Sequence, residues 1–354
     1  MNIRIMGYFD RNFGDDMMIK IIVNQLSEDK FFLYHPKREM LIPFENCNNI
    51  IIMDSDNGLD YDAVLNVTGS GFTIYNKIGI LYAAIETAKQ LFDFKKKPYL
   101  AVIGCNIGPF KNWLAEQFVL HDLKRYNLLT VRDSASFHYG RDHIQKSTCV
   151  QYPDIVFGIP EEWCFEKTGE SCLGISAYNR KDCNRNYEFY LKMAQIADHY
   201  STTKNKKVLL FALNTGYEND LSAAIIIRDL CRNKESVEII PYEQDGGTIL
   251  KHFARCSVFV GVRFHSIVLS LKMQIPLIPV IYSKKTEMML CDLQYDGYQT
   301  GIDQINLSEI TELLDQGIPV FQLPRRVTQE AKKHSLTFKE EYKKNESVRN
   351  HSSL

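Results

Sequence analysis

The sequence predicts two α/β lobes, each built on a sheet of parallel strands connected by helices. At 354 residues, the chain exceeds the size at which one hydrophobic core usually stops growing. Short apolar runs alternate with longer helical patterns, which is the rhythm of strand–helix–strand units. This rhythm lapses into a polar, acidic stretch between Pro160 and Ser171 and then resumes. We therefore predict an N-terminal lobe over 1–165, a second lobe over 170–306 and a helical tail over 307–354.

The first lobe is predicted as a doubly wound unit, because apolar runs and helical patterns alternate throughout it. Its predicted strands are Ile3–Tyr8, Phe31–Tyr34, Ala63–Val67, Tyr99–Gly104, Leu128–Val131 and Thr148–Tyr152. Its predicted helices are Asp15–Leu26, Tyr82–Phe92, Trp113–Tyr126 and Ser134–Tyr139.

The second lobe repeats the pattern after the acidic stretch. Its predicted strands are Leu173–Ala177, Lys207–Ala212, Val237–Ile240, Val258–Gly261 and Leu277–Ile281. Its predicted helices are Tyr187–Tyr200, Ser222–Arg232, Gly247–Ala254 and Ser266–Leu271. Beyond Arg325 the tail is highly charged and poor in core-forming residues, so we expect its last dozen residues to be frayed.

Composition excludes several classes of function. The net charge of −1, from 42 basic and 43 acidic residues, provides no field for holding nucleic acid. The N-terminus has no secretory signal pattern, and no apolar run approaches the roughly 20 residues of a membrane span. The nine cysteines form no CxxC pair, which favours buried thiols in a reducing compartment over disulfides or zinc. We expect a cytoplasmic protein without a metal.

A polar turn, Asn12 to Asp16, follows the first predicted strand and opens a helix. Small and polar residues such as Asn12 and Gly14 let a ligand approach the backbone at a helix N-terminus. Asp15 and Asp16 are adjacent carboxylates, either of which is a candidate base for a hydroxyl group. The alternative is that Asn12 and Asp15 only cap the helix.

Two further turns follow predicted strands of the first lobe. One contains Gly69, Ser70 and Gly71, and the other contains Asn106. Ligands of open α/β sheets bind at the carboxyl ends of strands, so these turns outline one rim of a predicted cleft. Glycine is also common in tight turns for steric reasons alone.

Arg132 ends a predicted strand directly before a helix. A guanidinium there can hold a phosphate or carboxylate through two hydrogen bonds. The alternative is a structural Arg132–Asp133 pair with Ser134 as the helix cap.

The most informative segment is Gly261-Val262-Arg263-Phe264-His265, where an apolar strand enters a helix that begins near Ser266. Arg263 and His265 are two residues apart along an extended turn, so their side chains can point the same way. A guanidinium beside an imidazole there can bind an anion and exchange a proton with it. A histidine that only caps the helix is the alternative. Further on, Lys284 or Lys285 is a candidate phosphate partner, although a solvated lysine pair is the commoner outcome.

These residues resemble the polysaccharide pyruvyl transferase family across nearly the whole chain. The likeness rests on Asn12 to Asp16, Gly69 to Gly71, Arg132 with Ser136, Asp154 and, above all, Gly261 to His265. Phe264 replaces the usual leucine, and Ser70 replaces a common glycine. The resemblance implies two facing Rossmann-like domains in a glycosyltransferase B-like arrangement with a cleft between them.

The resemblance also implies an activity. The family transfers the pyruvyl group of phosphoenolpyruvate to two hydroxyls of a sugar, forms a cyclic ketal and needs no cofactor or metal. By position, Arg132, Arg263 and His265 would bind the donor, and the second lobe would be the donor side. Ser266 and Lys285 are further candidates for donor binding. His265 would be the general acid, and Asp15 or Asp16 the base. The acceptor side would include Asn12, Gly14, Gly69, Ser70, Gly71 and Asn106.

The acceptor implied is a sugar, with galactose preferred, in a capsular polysaccharide, an exopolysaccharide or a lipid-linked oligosaccharide. In the last case the cationic segment 325–344 is expected to lie along the inner face of the membrane, unless it is an ordinary solvated helix. Two rivals remain: a two-domain glycosyltransferase that uses a nucleotide sugar, and a non-catalytic carbohydrate- or phosphate-binding module. Stabilisation by a nucleoside diphosphate would favour the first, and phosphoenolpyruvate binding without turnover the second.

Overall fold

The computed structural model describes residues 1–55, 60–72, 97–145, 147–180 and 183–352. The chain forms two compact units. Unit 1 comprises Met1–Phe9, Asp15–Gly158 and Arg326–Leu354, and unit 2 comprises Asp10–Gly14 and Ile159–Arg325. The change from one unit to the other therefore falls a few residues before the acidic stretch. Sequence periodicity does not reveal that the short segment 10–14 belongs to unit 2, or that the tail is divided between the units.

Unit 1 contains a sheet whose described strands are all parallel, in the order β3-β2-β1-β4-β5-β6-β7. The strands are β1 (Asn2–Gly7), β2 (Lys30–Leu33), β3 (Ile50–Ile52), β4 (Ala63–Val67), β5 (Tyr99–Cys105), β6 (Leu128–Val131) and β7 (Thr148–Gln151). All four residues of β6 are buried, as expected for a parallel strand covered on both faces.

The described helices that lie mainly in unit 1 are α1 (Phe13–Gln25), α2 (Trp113–Leu123), α3 (Ser134–His143), α10 (Arg325–Ala331) and α11 (Lys333–Ser352). Two of them begin at side-chain caps: Asn112 accepts a hydrogen bond from the Ala115 amide, and Asp133 accepts one from the Ser136 amide. The predicted helix Tyr82–Phe92 lies outside the described residues.

Unit 2 contains a second parallel sheet, in the order β10-β9-β8-β11-β12-β13. Its strands are β8 (Cys172–Ser176), β9 (Val208–Ala212), β10 (Val237–Pro241), β11 (Cys256–Gly261), β12 (Leu277–Ile281) and β13 (Thr300–Gly301). Counted within each unit, the first six strands of both sheets have the Rossmann order 3-2-1-4-5-6. The predicted fold class is confirmed.

The described helices of unit 2 are α4 (Cys183–Thr203), α5 (Asp220–Leu230), α6 (Gly246–Phe253), α7 (Phe264–Lys272), α8 (Lys284–Asp292) and α9 (Leu307–Gln316). One face of the sheet is covered through buried residues such as Leu210, Ala224 and Ile310. On β11, the Phe259 ring stacks on Phe253 of α6 at 4.7 Å between centroids. The sheet is thus covered by apolar contacts on both faces, and only its strand ends are open to ligands.

The end of the tail differs from its sequence-based prediction. The expectation of frayed last residues and few core residues was wrong: α11 continues to Ser352, and four of its residues are buried in unit 1. His334 and Phe338 are 0% exposed, and the Phe338 and Tyr342 rings both contact Tyr99. Their spacing of four residues is a narrow helical stripe that the surrounding charges obscured. None of the helices in the described ranges is long and apolar enough to span a membrane.

Candidate functional site

In each unit, one of the turns predicted to carry chemistry follows a strand that flanks the point where the strand order reverses. In unit 2 this point lies between β8 and β11, and the Arg263 turn follows β11. The Arg263 amide donates to the hydroxyl of Ser176, the last residue of β8, at 3.1 Å. In unit 1 the point lies between β1 and β4, and the turn with Gly69 follows β4. Crevices at such points are where ligands of open α/β sheets bind.

Arg263 is held by two carboxylates of the segment that begins α5. Its Nε donates to Asp220 Oδ2 at 2.8 Å, and its Nη2 donates to Asp220 Oδ1. The remaining terminal nitrogen, Nη1, donates to Glu218 Oε2. The guanidinium also lies over the Tyr178 ring, 4.6 Å from its centroid. Each of the three guanidinium nitrogens therefore donates to a carboxylate.

Burial and pairing act in opposite directions on Arg263. Burial alone would lower the pKa of its guanidinium, but the Asp220 carboxylate outweighs burial and raises that pKa well above its usual value. Asp220 is fully buried, and burial raises the pKa of its carboxyl although the Arg263 charge opposes that shift. The sequence predicted that Arg263 faces the donor, whereas the structure pairs it with carboxylates; donor binding by Arg263 stays a prediction.

His265 packs directly on Gly14, and the two predicted turns thereby meet within unit 2. A Cβ atom on Gly14 would lie 1.6 Å from His265 Nδ1, so only glycine leaves room for the ring. The Gly14 amide donates to Asn12 Oδ1 at 3.1 Å, which holds the turn. Two residues 251 positions apart in the chain are thus in contact within unit 2.

A short two-stranded ribbon, residues 11–13 with 213–215, anchors the Asn12 turn in unit 2. The Phe13 amide donates to the Leu213 carbonyl at 2.9 Å, and the Thr215 amide donates to the Arg11 carbonyl at 3.1 Å. Asn12 faces Asn214 across this antiparallel bridge. The ribbon explains why segment 10–14 belongs to unit 2 although β1 belongs to unit 1.

The two remaining predicted donor residues of unit 2 make contacts within it. Ser266 is fully buried, and its hydroxyl donates to the Arg263 carbonyl at 2.6 Å, which closes the first turn of α7. Lys285 Nζ lies 5.6 Å from the centroid of the Phe264 ring. These contacts favour Ser266 as a residue that stabilises the turn, and its role in donor binding stays a prediction.

Arg132 belongs to a buried polar network of unit 1. Its Nη1 donates to Asp154 Oδ2 at 2.6 Å, and its Nε donates to Asn106 Oδ1 at 2.6 Å. Asn106 in turn donates to Asp133, which also accepts from the Ser136 hydroxyl at 2.7 Å. The Arg132 and Asp154 side chains are only 2% and 0% exposed. The Arg132 guanidinium therefore donates to Asp154 and Asn106. The residue that caps α3 is Asp133, whereas the sequence-based alternative had named Ser134.

The turn after β4 lies against this network. A Cβ on Gly69 would lie 2.8 Å from Arg132 Nη2, so glycine is needed for the guanidinium to come this close. The Asn106 amide donates to the Gly69 carbonyl at 2.8 Å. Ser70 is partly buried and Gly71 is exposed. The structure thus brings Gly69, Asn106 and Arg132 together, as the sequence predicted for their strand ends.

Asp15 and Asp16 lie in the first turn of α1 and belong to unit 1. Negative charge at that position interacts favourably with the helix dipole. Asp16 is only 1% exposed, whereas Asp15 is partly exposed. Of the two, Asp15 is therefore the carboxylate that solvent reaches.

Sequence reasoning missed Glu218, Asp220 and Asn214. Asn214 is 1% exposed; its carbonyl accepts from the Asp220 amide at 2.7 Å, and its amide donates to the Asp220 carboxylate at 3.0 Å. Their signal was the segment Asn214 to Asp220, polar residues directly after β9 and before α5, the same pattern that identified the other turns. Among the residues that the structure describes, no cluster of His, Cys, Asp and Glu could hold a metal ion.

Comparison with known families decides among the possibilities. Residues 12–284 match the model of the polysaccharide pyruvyl transferase family. The chain belongs to the polysaccharide pyruvyl transferase family. The match includes the Asn12 turn and the Arg263–His265 segment, and membership makes the protein a transferase that acts on polysaccharide.

Solved structures show that the polysaccharide pyruvyl transferase chain shares its fold with distant proteins. UDP-GlcNAc 2-epimerase of Neisseria meningitidis, bound to UDP-GlcNAc, has a TM-score of 0.59 at 10% identity, covering 97% of this chain and 100% of that chain. The epimerase of Methanocaldococcus jannaschii has a TM-score of 0.59 at 9% identity, covering 96% and 99%. A trehalose-6-phosphate synthase has a TM-score of 0.52 at 10% identity, covering 97% and 99%.

Proposed function

We propose that this pyruvyl transferase moves the pyruvyl group of phosphoenolpyruvate to two hydroxyls of one sugar, forming a cyclic ketal and releasing phosphate. The observation that carries the proposal is the packing of His265 on Gly14, because it joins the two turns of the family match in one unit. An imidazole in that position has the chemistry of a general acid. Family membership supplies the reaction class.

The chemistry balances without an oxidant or reductant. His265 delivers a proton to the methylene carbon of phosphoenolpyruvate, and the first sugar hydroxyl forms a bond to C2 and loses its proton. The C–O bond to phosphate then breaks, and the second hydroxyl adds to C2 and loses its proton. One proton ends in the new methyl group and the other balances the released phosphate. Asp15 is the proposed base, with Asp16 as the more buried alternative.

Arg263 supports this proposal by ordering the turn that presents His265. Its amide is fixed to Ser176, its carbonyl accepts from Ser266 and its side chain is fixed to Asp220. A catalytic group is effective only when its orientation is held, and a misplacement of about 1 Å can reduce the rate on the order of 100-fold. In this geometry Arg263 is first a positioning residue for His265.

The proposed acceptor is a sugar, with galactose preferred, in a polysaccharide or a lipid-linked oligosaccharide of a capsule or exopolysaccharide. We place the enzyme in the cytoplasm, where its donor is made and thiols stay reduced. Eight cysteines of the described residues are free thiols, which suits that compartment. Contact of the tail with a membrane is a weaker proposal, because Phe338 and Tyr342 of α11 are already buried in unit 1.

The test supplies purified protein with phosphoenolpyruvate and a panel of galactose-terminated and other sugar acceptors. Phosphate release and the mass of the pyruvylated product are both measured. We expect His265→Ala to lower kcat by about 100-fold or more, the usual contribution of a general acid. His199→Ala is the matched control, because His199 lies in unit 2 but forms a surface pair with Asp315.

Two outcomes would contradict the proposal. If wild-type protein releases phosphate only at the background rate with every acceptor, pyruvyl transfer to the tested sugars is excluded. Thermal stabilisation by uridine diphosphate but not by phosphoenolpyruvate would indicate a nucleotide-sugar transferase, the rival with the same fold. Normal turnover by His265→Ala would remove His265 from the catalytic residues while leaving the reaction in place.

A further inference from the structure

Arg11 differs from the other arginines near the predicted ligand-binding turns. Arg263 is paired with Asp220 and Glu218, and Arg132 is paired with Asp154. Arg11 makes no side-chain hydrogen bond or ion pair with any residue that the structure describes. Its Nε is nonetheless buried and without a hydrogen-bond partner. A cation whose donor group is removed from water without an anion is costly, so its position calls for an anion from outside the chain.

The position of Arg11 is fixed by its backbone. Its carbonyl accepts from the Thr215 amide in the ribbon, and its φ of 47° lies in the left-handed region that few side chains adopt. Gly14, three residues further on, carries the His265 ring on its surface. Three residues of chain span at most about 11 Å, so Arg11 and the proposed general acid lie in one neighbourhood of unit 2.

A second buried donor without a partner lies in the same ribbon. Asn214 faces Asn12 across the bridge and is 1% exposed. Its Oδ1 accepts from the Gly216 amide at 3.0 Å, but its Nδ2 has no hydrogen-bond partner in the described part of the chain. Buried amide donors are nearly always bonded, so this short ribbon offers two buried donors to an acceptor from outside the chain.

We propose that Arg11 and Asn214 bind an anionic group of the donor, either its phosphate or its carboxylate, beside His265. The inference rests on the proposed function and deepens it, because it assigns the donor's countercharge to a residue outside the family's Arg263 segment. The hydrogen bonds support this choice. The three guanidinium nitrogens of Arg263 already donate to Asp220 and Glu218, whereas the buried Nε of Arg11 has no partner among the described residues.

The experiment measures Kd for phosphoenolpyruvate, inorganic phosphate and pyruvate by calorimetry, together with kcat and KM. Arg11→Gln removes the charge and is expected to weaken phosphoenolpyruvate binding roughly 10- to 100-fold, as expected for loss of a charge-assisted hydrogen bond. Arg11→Lys should restore part of the affinity. Asn214→Asp keeps an oxygen that accepts from the Gly216 amide but replaces the Nδ2 donor by a second carboxylate oxygen. It should therefore also weaken phosphoenolpyruvate binding.

The control is Arg185→Gln, because Arg185 is an exposed arginine of unit 2 that pairs with Asp303 at the surface. It should leave Kd and KM unchanged. Weaker binding of phosphate but not of pyruvate in Arg11→Gln places Arg11 at the donor's phosphate, and the reverse places it at the carboxylate.

The outcomes separate this inference from the proposed function. If wild-type protein binds phosphoenolpyruvate without turnover and Arg11→Gln weakens that binding, the anion site stands and the reaction does not. If wild-type protein turns over and Arg11→Gln keeps Kd and KM within twofold of it, the inference is overturned and the reaction stands. Wild-type protein that binds none of the three anions also overturns the inference.

Discussion

The two units each contain a buried arginine network at the carboxyl ends of their strands, and the networks end differently. In unit 1, Arg132 and Asp154 are nearly sealed, and the chain of bonds continues through the neutral amide of Asn106. In unit 2, Arg263 is bonded to a sealed carboxylate, Asp220, and to a second carboxylate, Glu218, whose side chain is 27% exposed. The Arg132–Asp154 pair of unit 1 is thus almost fully shielded from solvent, whereas Glu218 in the unit 2 network is partly exposed.

The neighbouring glycines show the same contrast. Gly69 makes room for the Arg132 guanidinium, a group that donates to Asp154 and Asn106 of unit 1. Gly14 makes room for the ring of His265, a group that can exchange a proton. In both units a glycine leaves room for a neighbouring side chain. In unit 1 this stabilises the Arg132 network, and in unit 2 it allows the His265 ring to pack on the Asn12 turn. Four predictions test this distinction.

The largest effect is expected from removing the buried carboxylates. Asp154→Ala leaves Arg132 buried without its counter-ion and should lower the free energy of unfolding by about 3–5 kcal/mol. Asp220→Ala should cost less, because Glu218 still faces Arg263. Urea denaturation measures both, with the exposed Asp142→Ala and Asp229→Ala as controls within about 0.5 kcal/mol of wild type. Equal losses in the two variants would contradict the proposed difference between the networks.

The second-largest effect on stability is expected at His334, which lies close to the charges of Arg132 and Asp154 in unit 1. Its Nε2 lies 2.9 Å from the Pro153 carbonyl and so must carry the proton, and its Nδ1 accepts from the Thr130 hydroxyl at 2.6 Å. Burial lowers the pKa of His334 to about 4, with the bond to Pro153 and the Asp154 charge opposing the shift and Arg132 adding to it. The neutral ring is therefore part of the folded core.

The sign of the pH effect follows from that lowered pKa. Between about pH 4 and 6.5 the unfolded chain binds a proton on His334 and the folded chain does not, so acid destabilises the fold. Lowering the pH through this window should remove about 3 kcal/mol of stability from the wild type. In His334→Gln this component should be absent, as measured by urea denaturation at several pH values. An unchanged pH slope in the variant would show that His334 does not titrate in this way.

Gly14→Ala should act on catalysis more than on stability. The new methyl group would occupy the position of His265 Nδ1, so the ring must turn away. We expect kcat/KM with phosphoenolpyruvate to fall on the order of 100-fold. Gly169→Ala is the control, because nothing lies within 4 Å of its added Cβ. Full activity of Gly14→Ala would show that the ring is not needed in its present place.

Gly69→Ala should have the smallest effect, and on stability. Its Cβ would lie 2.8 Å from Arg132 Nη2, and the guanidinium cannot yield because Asp154 and Asn106 hold it. We expect a loss of about 1–2 kcal/mol by thermal or urea denaturation. Gly158→Ala is the matched control, since its nearest neighbours lie at an ordinary 3.5 Å. A loss confined to activity would mean that the turn after β4 contacts substrate.

The sequence by itself determined the sheets and the turns at their strand ends. The bounds of β4, β6 and β12 agree with their predicted limits, because a parallel strand covered on both faces is a continuous apolar run. Two strands, β3 and β13, and helix α8 were missed. The strands are only three and two residues long, and α8 consists of four polar residues followed by four apolar residues and Asp292, which gives no helical period.

Only the tertiary structure decided which charges meet. Asp220 lies 43 residues before Arg263 in the chain. No local sequence pattern indicates that the Arg263 guanidinium donates to this carboxylate. The same holds for segment 10–14, which pairs with residues 213–215 of unit 2, and for His334, which reaches Thr130 across 204 positions. Hydrophobic periodicity is a property of neighbouring residues, whereas ion pairs and buried hydrogen bonds join groups that the chain brings together only after it has folded.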